Sequence, residues 1–165
     1  MALRIGIGYD SHRFAAGRPL VLGGVEIPHE RGLTGHSDAD VLTHALIDAI
    51  LGAAGLGDLG VHFPPEDEEW RDAHSVDLLR VALGMLPGWV VNVDATLVCE
   101  APRLGDRRPE IERELAAALS APVSVKATTN EGMGWIGRGE GIACIAVALI
   151  ETSEPGRMPP ALVSE

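Results

Sequence analysis

Residues 142–150 restrict the fold most strongly, because every residue in this run is apolar. A strand that is apolar on both faces must be covered on both faces, so the run predicts a strand in the centre of a sheet. Residues 90–98 instead alternate apolar and polar side chains, which is typical of a strand with one wet or interfacial face. Together the two runs predict that sheets of several subunits meet around an axis.

The N-terminal segment also alternates. Residues 3–12 carry Leu, Ile, Ile and Tyr at the first four odd positions and Arg, Gly, Gly, Asp and His at the even positions. This is the period of a strand with one buried face. Asp10 and His12 are two residues apart, so they are predicted to point to the same side of the strand.

A helix is predicted to begin at Ser37. Ser37 and Asp40 have the spacing of a capping box, so the free N–H groups of the first turn should point toward His36 and form an anion site. Asp40, His44 and Asp48 recur every four residues and share a polar stripe beside a broad apolar face. His44 is therefore predicted to face a polar site rather than the core.

Asp10, His12 and His44 are candidate metal ligands. Two imidazoles and one carboxylate on rigid elements are typical of catalytic zinc, which has three protein ligands and an open fourth position. Such an ion acts as a Lewis acid. An Asp-x-His pair on a strand also arises by chance, and spacing alone leaves that alternative open.

The remaining pattern predicts an α+β domain. Residues 19–27 indicate a hairpin around a Gly-Gly turn, helices are expected at 75–86 and 109–119, and residues 123–129 add a strand. Several strands precede the first helix, and helices then separate the later strands. This order favours a two-layer sandwich, a mostly four-stranded mixed sheet with helices on one face.

Two further segments are predicted to be loops. Residues 58–67 carry turn formers and acids without periodicity, which indicates a mobile surface loop. Residues 130–141 contain five glycines, which allow the backbone to approach a ligand closely, although ordinary turns share this composition. Thr128, Thr129 and Glu131 stand at the mouth of this second loop, where hydroxyls suit phosphate oxygens and a carboxylate suits magnesium.

Length and charge limit the classes of function. At 165 residues the chain is most simply one domain, expected over 1–151 with a frayed tail at 152–165. A net charge of −11 leaves no basic patch for nucleic acid, and a phosphorylated ligand would need metal cations. No signal segment or membrane-length apolar run is visible, so we predict a cytoplasmic protein without membrane association. Cys99 and Cys144 are expected to be buried, unreactive thiols.

Six motifs in combination resemble the 2-C-methyl-D-erythritol 2,4-cyclodiphosphate synthase family of the non-mevalonate isoprenoid pathway. The resemblance covers residues 3–151, nearly the whole chain. Its motifs are Arg-Ile-Gly-Ile-Gly-Tyr-Asp-Ser-His at 4–12, Gly-His-Ser-Asp-Ala-Asp at 35–40 with His44, Gly-Asp-Leu-Gly at 57–60, Ala-Pro-Arg at 101–103, Lys-Ala-Thr-Thr-Asn-Glu at 126–131 and Gly-Arg-Gly-Glu-Gly-Ile-Ala at 137–143. The resemblance implies a ferredoxin-like variant of the α+β fold, assembled as a homotrimer with each site built between neighbouring subunits.

The same resemblance implies a lyase reaction on a cytidyl diphosphate. The 2-phosphate of 4-diphosphocytidyl-2-C-methyl-D-erythritol 2-phosphate attacks the β-phosphate, the 2,4-cyclodiphosphate closes and CMP leaves. The matched positions are Asp10, His12 and His44 for zinc, Glu131 for magnesium or manganese, and His36 and Thr129 for catalysis.

Substrate contacts are also implied by the resemblance. The matched positions are Asp10, His12, His36, Ser37, Asp58, Gly60, Phe63, Pro64, Pro65, Glu66, Asp67, Cys99, Glu100, Ala101, Pro102, Arg103, Leu104, Gly105, Ala127, Thr128, Thr129, Asn130, Glu131, Trp135 and Arg138. Trp135 and Arg138 match positions that line either the substrate site or the trimer-axis cavity, where similar proteins accommodate isoprenoid phosphates. Pro65 replaces the first acid of the family's usual Phe-Pro-Asp-Thr-Asp loop, and Glu66 is expected to take over its contact.

A second function from a different class fits some of these features. A non-catalytic trimeric carrier or sensor of isoprenoid phosphates could use zinc only to hold its fold. Asp58, Thr129 and Glu131 argue against this alternative, because a carrier needs no residues for a leaving group. Release of CMP from the cytidyl substrate distinguishes the two functions.

Overall fold

Strand β7 (Gly141–Thr152) lies inside a mixed sheet, as its apolar sequence predicts. The computed structural model describes residues 1–64 and 66–153. The sheet has the strand order β4-β1-β7-β5-β6, in which β7 is antiparallel to both neighbours and β5 is parallel to β6. The other strands are β1 (Ala2–Ala15), β4 (Gly32–Leu33), β5 (Gly88–Val98) and β6 (Val123–Thr128), and a separate hairpin pairs β2 (Leu20–Leu22) with β3 (Val25–Ile27).

The helices pack on one another and on one face of this sheet, which confirms the predicted α+β class. They are α1 (Val41–Ala54), α2 (Leu59–His62), α3 (Ser75–Gly84), α4 (Arg108–Leu119) and α5 (Gly134–Gly137), with single 3-10 turns at Glu68–Trp70 and Gly105–Arg107. Helix α1 packs against β1 and β7, α4 packs against β6, and α3 contacts both α1 and α4. In the part of the chain that the structure describes, no helix is long and apolar enough to cross a lipid bilayer.

Two glycines of β1 bring α1 unusually close to the sheet. A Cβ atom on Gly6 would lie 1.9 Å from the carbonyl oxygen of Ala49, and a Cβ on Gly8 would lie 1.9 Å from that of Ala45. Only glycine allows this approach, because any side chain would overlap the helix backbone. The backbone of α1 therefore lies directly against β1 at Gly6 and Gly8, just before Asp10 on the same strand.

The apolar side chains of β1 lie on the opposite face and are exposed in the single chain. Leu3, Ile5, Ile7 and Tyr9 are 56–74% exposed. Ile145 of β7 is also exposed. The buried face of β1 is therefore its glycine and polar face, and the outer face of the sheet is a large apolar surface, a feature uncommon on soluble single chains.

Helix α1 begins at Val41, so the prediction that it begins at Ser37 is wrong. Asp40 is the N-cap, and its carboxylate accepts a hydrogen bond from the N–H of Thr43 at 3.1 Å. The chain cannot be helical through Ala39, which has a left-handed φ of +58°. Asp40 is fully buried, and its carboxylate also accepts the main-chain N–H groups of Gly23 and Gly24, so the predicted polar stripe shared with His44 is also wrong at its first residue.

The predicted loops contain short ordered elements. Residues 58–67 include α2, whose N-cap Asp58 accepts the N–H of Val61 at 3.0 Å, because the acids of this segment cap helical turns. Pro65 lies outside the described residues. Residues 130–141 include α5, and β7 extends to Thr152, one residue into the predicted tail. Residues 154–165 lie outside the described residues as well.

Candidate functional site

Asp10, His12 and His44 converge on one point between β1 and α1. Oδ2 of Asp10 lies 2.8 Å from Nε2 of His12 and 3.1 Å from Nδ1 of His44, and the two nitrogens are 3.1 Å apart. A tetrahedron built on metal bonds of about 2.0–2.1 Å has an edge of about 3.3 Å. The three donor atoms therefore have nearly the spacing of one face of a metal coordination shell, and they could hold a metal ion.

The remaining ring nitrogens of both histidines have oxygen partners. Nδ1 of His12 donates to the carbonyl oxygen of Thr34 at 2.7 Å. Nε2 of His44 lies 2.9 Å from Oγ of Ser75 and 3.1 Å from Oγ of Ser37. These contacts orient each ring so that its other nitrogen faces the common point.

The cluster also carries the charge that a cation needs. Burial opposes ionisation of Asp10, but hydrogen bonds from His12 and His44 outweigh it and hold the pKa of this carboxyl well below its usual range. Burial likewise disfavours the charged form of His12, yet the hydrogen bond and charge of Asp10 raise the pKa of His12 above its ordinary value. The carboxylate is thus ionised and already stabilises positive charge beside it.

A cleft of about 300 Å³ opens over these three residues. Four of the predicted substrate-contact residues line it: His36 and Ser37, and Gly60 and Phe63 from the region of α2. The sequence interpretation missed its apolar wall of Leu59, Trp70 and Leu78. The Trp70 and Phe63 rings pack edge to face with their centroids 5.1 Å apart. No local sequence pattern predicts this contact.

A second cleft of about 660 Å³ lies beyond the ends of β5 and β6. It gathers a further group of predicted residues, together with Arg108, which the sequence interpretation missed. Its lining residues are Cys99, Glu100, Pro102, Arg103, Leu104, Gly105, Arg108, Ala127, Thr128 and Thr129. Parallel pairing of Val98 with Thr128 places the two loops side by side.

The segment after β6 is held by a carboxylate from the neighbouring loop. Glu100 accepts the N–H of Asn130 at 2.9 Å and that of Gly132 at 3.3 Å. Glu131 between them has a φ of +51°, and its carboxylate accepts the hydroxyl of Thr129 at 3.0 Å. Glu131 is exposed, so this carboxylate is accessible to a ligand or a cation.

The other predicted residues are distributed around these clefts. Asp58 and Asp67 cap helical turns, and Pro64, Glu66 and Ala101 lie on the adjoining loops. Trp135 lines a smaller cavity with Ser11, His12, Arg13 and Glu140, and Arg138 pairs with Glu140 at 2.7 Å. Among the described residues, no side chain lines both large clefts. The structure therefore divides most of the predicted residues between two separate clefts.

Comparison with known proteins gives concordant matches over almost the entire chain. The profile of the YgbB family matches residues 3–151. A relative from Symbiobacterium thermophilum, named 2-C-methyl-D-erythritol 2,4-cyclodiphosphate synthase, is 59% identical over 152 residues, which are 88% of this chain and 97% of the relative.

Solved structures share the fold as well. The CDP complex of IspF from Plasmodium falciparum is 31% identical with a TM-score of 0.80, covering 93% of this chain and 98% of that one. The bifunctional IspDF from Campylobacter jejuni is 40% identical with a TM-score of 0.86, covering 90% of this chain but 42% of that longer one. The likeness thus extends across both clefts.

Proposed function

Because the chain belongs to the YgbB family of 2-C-methyl-D-erythritol 2,4-cyclodiphosphate synthases, we propose that it closes the cyclodiphosphate of 4-diphosphocytidyl-2-C-methyl-D-erythritol 2-phosphate and releases CMP. The chain is an enzyme of the lyase class, as its relatives are. This membership favours catalysis over the carrier alternative. The observation that carries the proposal is the convergence of Asp10, His12 and His44 beside His36 and Ser37.

Zinc is the metal that this donor set fits best. Two imidazole nitrogens and one carboxylate oxygen are ordinary zinc ligands, and three protein ligands leave one position for a substrate oxygen. When bound, the ion would polarise a phosphate oxygen as a Lewis acid. The chain's own part is to hold the three donors at fixed spacing and to present an open side to the cleft.

His36 and Ser37 are proposed to bind the methylerythritol 2-phosphate. Both line the metal-side cleft, and Ser37 is buried while His36 remains half-exposed. The nucleophile is already an anion, so it needs orientation and charge neutralisation rather than a base. Hydrogen bonds from these two side chains would align it with the β-phosphate and stabilise charge on its oxygens.

The second cleft is proposed to hold the cytidyl diphosphate. Thr128 and Thr129 offer hydroxyls for phosphate oxygens, and Arg103 and Arg108 supply positive charge at its rim. The main chain of residues 99–105 would read the cytosine edge by hydrogen bonds. The Plasmodium falciparum relative is a CDP complex, which supports a cytidyl diphosphate as the class of ligand. We propose that Asp58 contacts the ribose and that Glu131 holds a magnesium ion.

A homotrimer is proposed because each chain carries two half-sites. The apolar outer face of the sheet needs cover, and Leu3, Ile5 and Ile7 would be buried if copies packed there. One chain's metal-side cleft would then adjoin its neighbour's cytidyl-side cleft. Trp135 and Arg138 are proposed to lie near the resulting axis, where an isoprenoid phosphate could bind. We also propose that the protein is located in the cytoplasm.

The test is CMP release by the wild type, by His44→Ala and by a matched control, His29→Ala. His29 lines neither cleft, and its ring contacts Phe14 and the carbonyl oxygen of Arg31, so its loss should leave activity and zinc content unchanged. His44→Ala should lose both, by more than the roughly 10–100-fold that loss of an outer-shell partner costs. An active His44→Ala enzyme without zinc would contradict the metal assignment. A wild type that binds isoprenoid phosphates but releases no CMP would instead support the carrier.

A further inference from the structure

Ser75 reaches the metal-ligand cluster from a different helix. It is the first residue of α3 and is 0% exposed, and its Oγ lies 2.9 Å from Nε2 of His44. Nδ1 on the other side of the same ring faces Asp10 and His12. The His44 ring is thus held between the proposed metal and a buried hydroxyl.

Asp38 fixes the direction of that hydroxyl. The hydroxyl of Ser75 donates to Oδ1 of Asp38 in a very short hydrogen bond, and the N–H of Ser75 donates to Oδ2 at 2.9 Å. Oδ1 also accepts the N–H of Asp40 at 3.2 Å. A serine hydroxyl has one proton. Once this proton points at Asp38, only the lone pairs of Oγ can face His44.

An oxygen lone pair facing Nε2 requires a proton on Nε2. In the neutral imidazole the other nitrogen, Nδ1, then carries the free lone pair that a metal needs. Ser37 cannot impose this choice by itself. Its Oγ is 3.1 Å from Nε2, but it lines the substrate cleft, where its hydroxyl can turn to a ligand phosphate.

We propose that Ser75 and Asp38 are positioning residues that hold His44 in the tautomer and orientation required for metal binding. This inference rests on the proposed function, since it presumes a metal at Asp10, His12 and His44. His12 has an equivalent partner in the carbonyl of Thr34, which substitution cannot remove. The His44 partner is made of side chains and can be tested.

Asp38 also caps α3 through the N–H of Ser75, so a purely structural role must be separated from the positioning role. Asp38→Asn does this. Asparagine has the same shape and keeps one oxygen that can accept the N–H of Ser75. Its amide can donate to Oγ of Ser75, which would turn the serine proton toward His44 and favour the wrong tautomer. The same amide would also meet the N–H of Asp40, which lowers stability, but the start of α3 keeps its acceptor, so the fold should survive while metal binding weakens.

The experiment measures zinc affinity by competition with a chromophoric chelator for the wild type, Ser75→Ala and Asp38→Asn. Asp77→Asn is the matched control, because Asp77 lies in the first turn of the same helix and its exposed carboxylate pairs with Arg80 at 2.6 Å. Long-range ¹H–¹⁵N spectra of histidine-labelled protein report which nitrogen of His44 carries the proton. Far-ultraviolet circular dichroism reports the fold.

We expect both cluster variants to bind zinc about 10–100-fold more weakly than the wild type, with Asp77→Asn unchanged. The His44 Nε2–H should exchange slowly in the zinc-loaded wild type and rapidly in Ser75→Ala. Should Ser75→Ala unfold, Asp38→Asn alone decides the matter.

Two results would overturn the inference. One is wild-type zinc affinity with an unchanged His44 spectrum in folded Asp38→Asn. The other is an equal loss in Asp77→Asn, which would make the effect one of net charge. A wild type that binds no zinc would instead overturn the proposed metal site, so the two failures are distinguishable.

Discussion

The carboxylate of Asp40 accepts the main-chain N–H of Gly23 at 2.9 Å, which joins the β2–β3 turn to the start of α1. The same oxygen accepts the N–H of Thr43 at 3.1 Å. The second oxygen accepts the N–H of Gly24 at 2.8 Å and the hydroxyl of Thr43 at 2.7 Å. A single buried side chain therefore satisfies four donors from two elements.

We predict graded losses of stability at Asp40. Asp40→Asn keeps one acceptor oxygen but sets an amide against the donors of Gly24 and Thr43, so it should lower the free energy of unfolding by about 1–3 kcal/mol. Asp40→Ala also removes the helix cap and should cost more. Urea unfolding measures both, with exposed Asp77→Asn as the control. An Asp40→Asn variant as stable as the wild type would contradict this role.

Magnesium is predicted to be bound more loosely than zinc. Glu131 offers only hard oxygen ligands on an exposed loop, whereas the Asp10 cluster includes two imidazoles. Dialysis should therefore remove magnesium and activity together while zinc stays, and added magnesium should restore CMP release.

Glu131→Gln should raise the magnesium concentration needed for half-maximal CMP release by at least about tenfold, because one carboxylate ligand is lost. Glu114→Gln on the exposed surface of α4 removes the same charge and is the matched control. Full activity of Glu131→Gln at low magnesium would count decisively against a cation at this residue.

The Cys99 thiol should make stability depend on alkaline pH. Burial, and then the negative charge of Glu100, raise the pKa of Cys99 to about 11 from a reference value of 9.0. The unfolded chain loses this proton near pH 9, while the folded protein retains it to about pH 11. Unfolding is therefore favoured as pH rises through this window, and the neutral thiol's contribution is fully present only below pH 9.

Comparison of the wild type with Cys99→Ala at pH 8 and pH 10 tests this sign. The wild type should lose more unfolding free energy between the two pH values than the variant does. Native Cys99 should also react with iodoacetamide much more slowly at pH 8 than in urea. If the unfolding free energies of the wild type and Cys99→Ala depended equally on pH, the thiol would have the same pKa in the folded and unfolded states.

Mixing of two inactive variants tests the shared sites. If the metal half comes from one subunit and the half around residues 128–131 from its neighbour, His12→Ala and Glu131→Ala are each inactive alone. In a mixed cyclic trimer one interface pairs two intact halves, and another collects both lesions.

Random reassembly of equal amounts makes about three quarters of the trimers mixed, each with one working site in three, so activity should recover to roughly one quarter of wild type. The variants would be unfolded together, refolded with zinc and assayed for CMP. Refolding of each variant alone is the control. Trimers verified as mixed but inactive would place each site within a single chain.

Parts of this molecule that depend on local periodicity could be predicted from the sequence. The apolar run of β7 fixed its place inside the sheet, and the alternation of β1 put Asp10 and His12 on one side. The pattern of α1 also predicts that His44 faces a polar site, because the neighbouring residues of the helix form its apolar face. These patterns are repeated along an element, so several residues specify each of them.

Features that depend on one backbone angle or on a distant contact could not be predicted. The spacing of Ser37 and Asp40 matches a capping box and therefore predicts a helix that begins at Ser37. The left-handed φ of Ala39 prevents this, and α1 begins at Val41. The approach of Ser75 to His44 spans 31 residues and follows from the packing of α3 on α1. The local sequence around Ser75 resembles any helix start.

The register of β1 against β7 decides what the protein can bind. Twelve consecutive pairs, from Ala2 with Thr152 to Arg13 with Gly141, set the parity of the strand, so that even-numbered residues face α1. A shift of the β1–β7 register by one residue would turn the odd-numbered residues toward α1 instead. Asp10 and His12 would then turn to the outer surface, and isoleucines would meet a helix that only glycine can approach. The face of β1 that carries Asp10 and His12 and its exposed apolar face therefore cannot be altered independently.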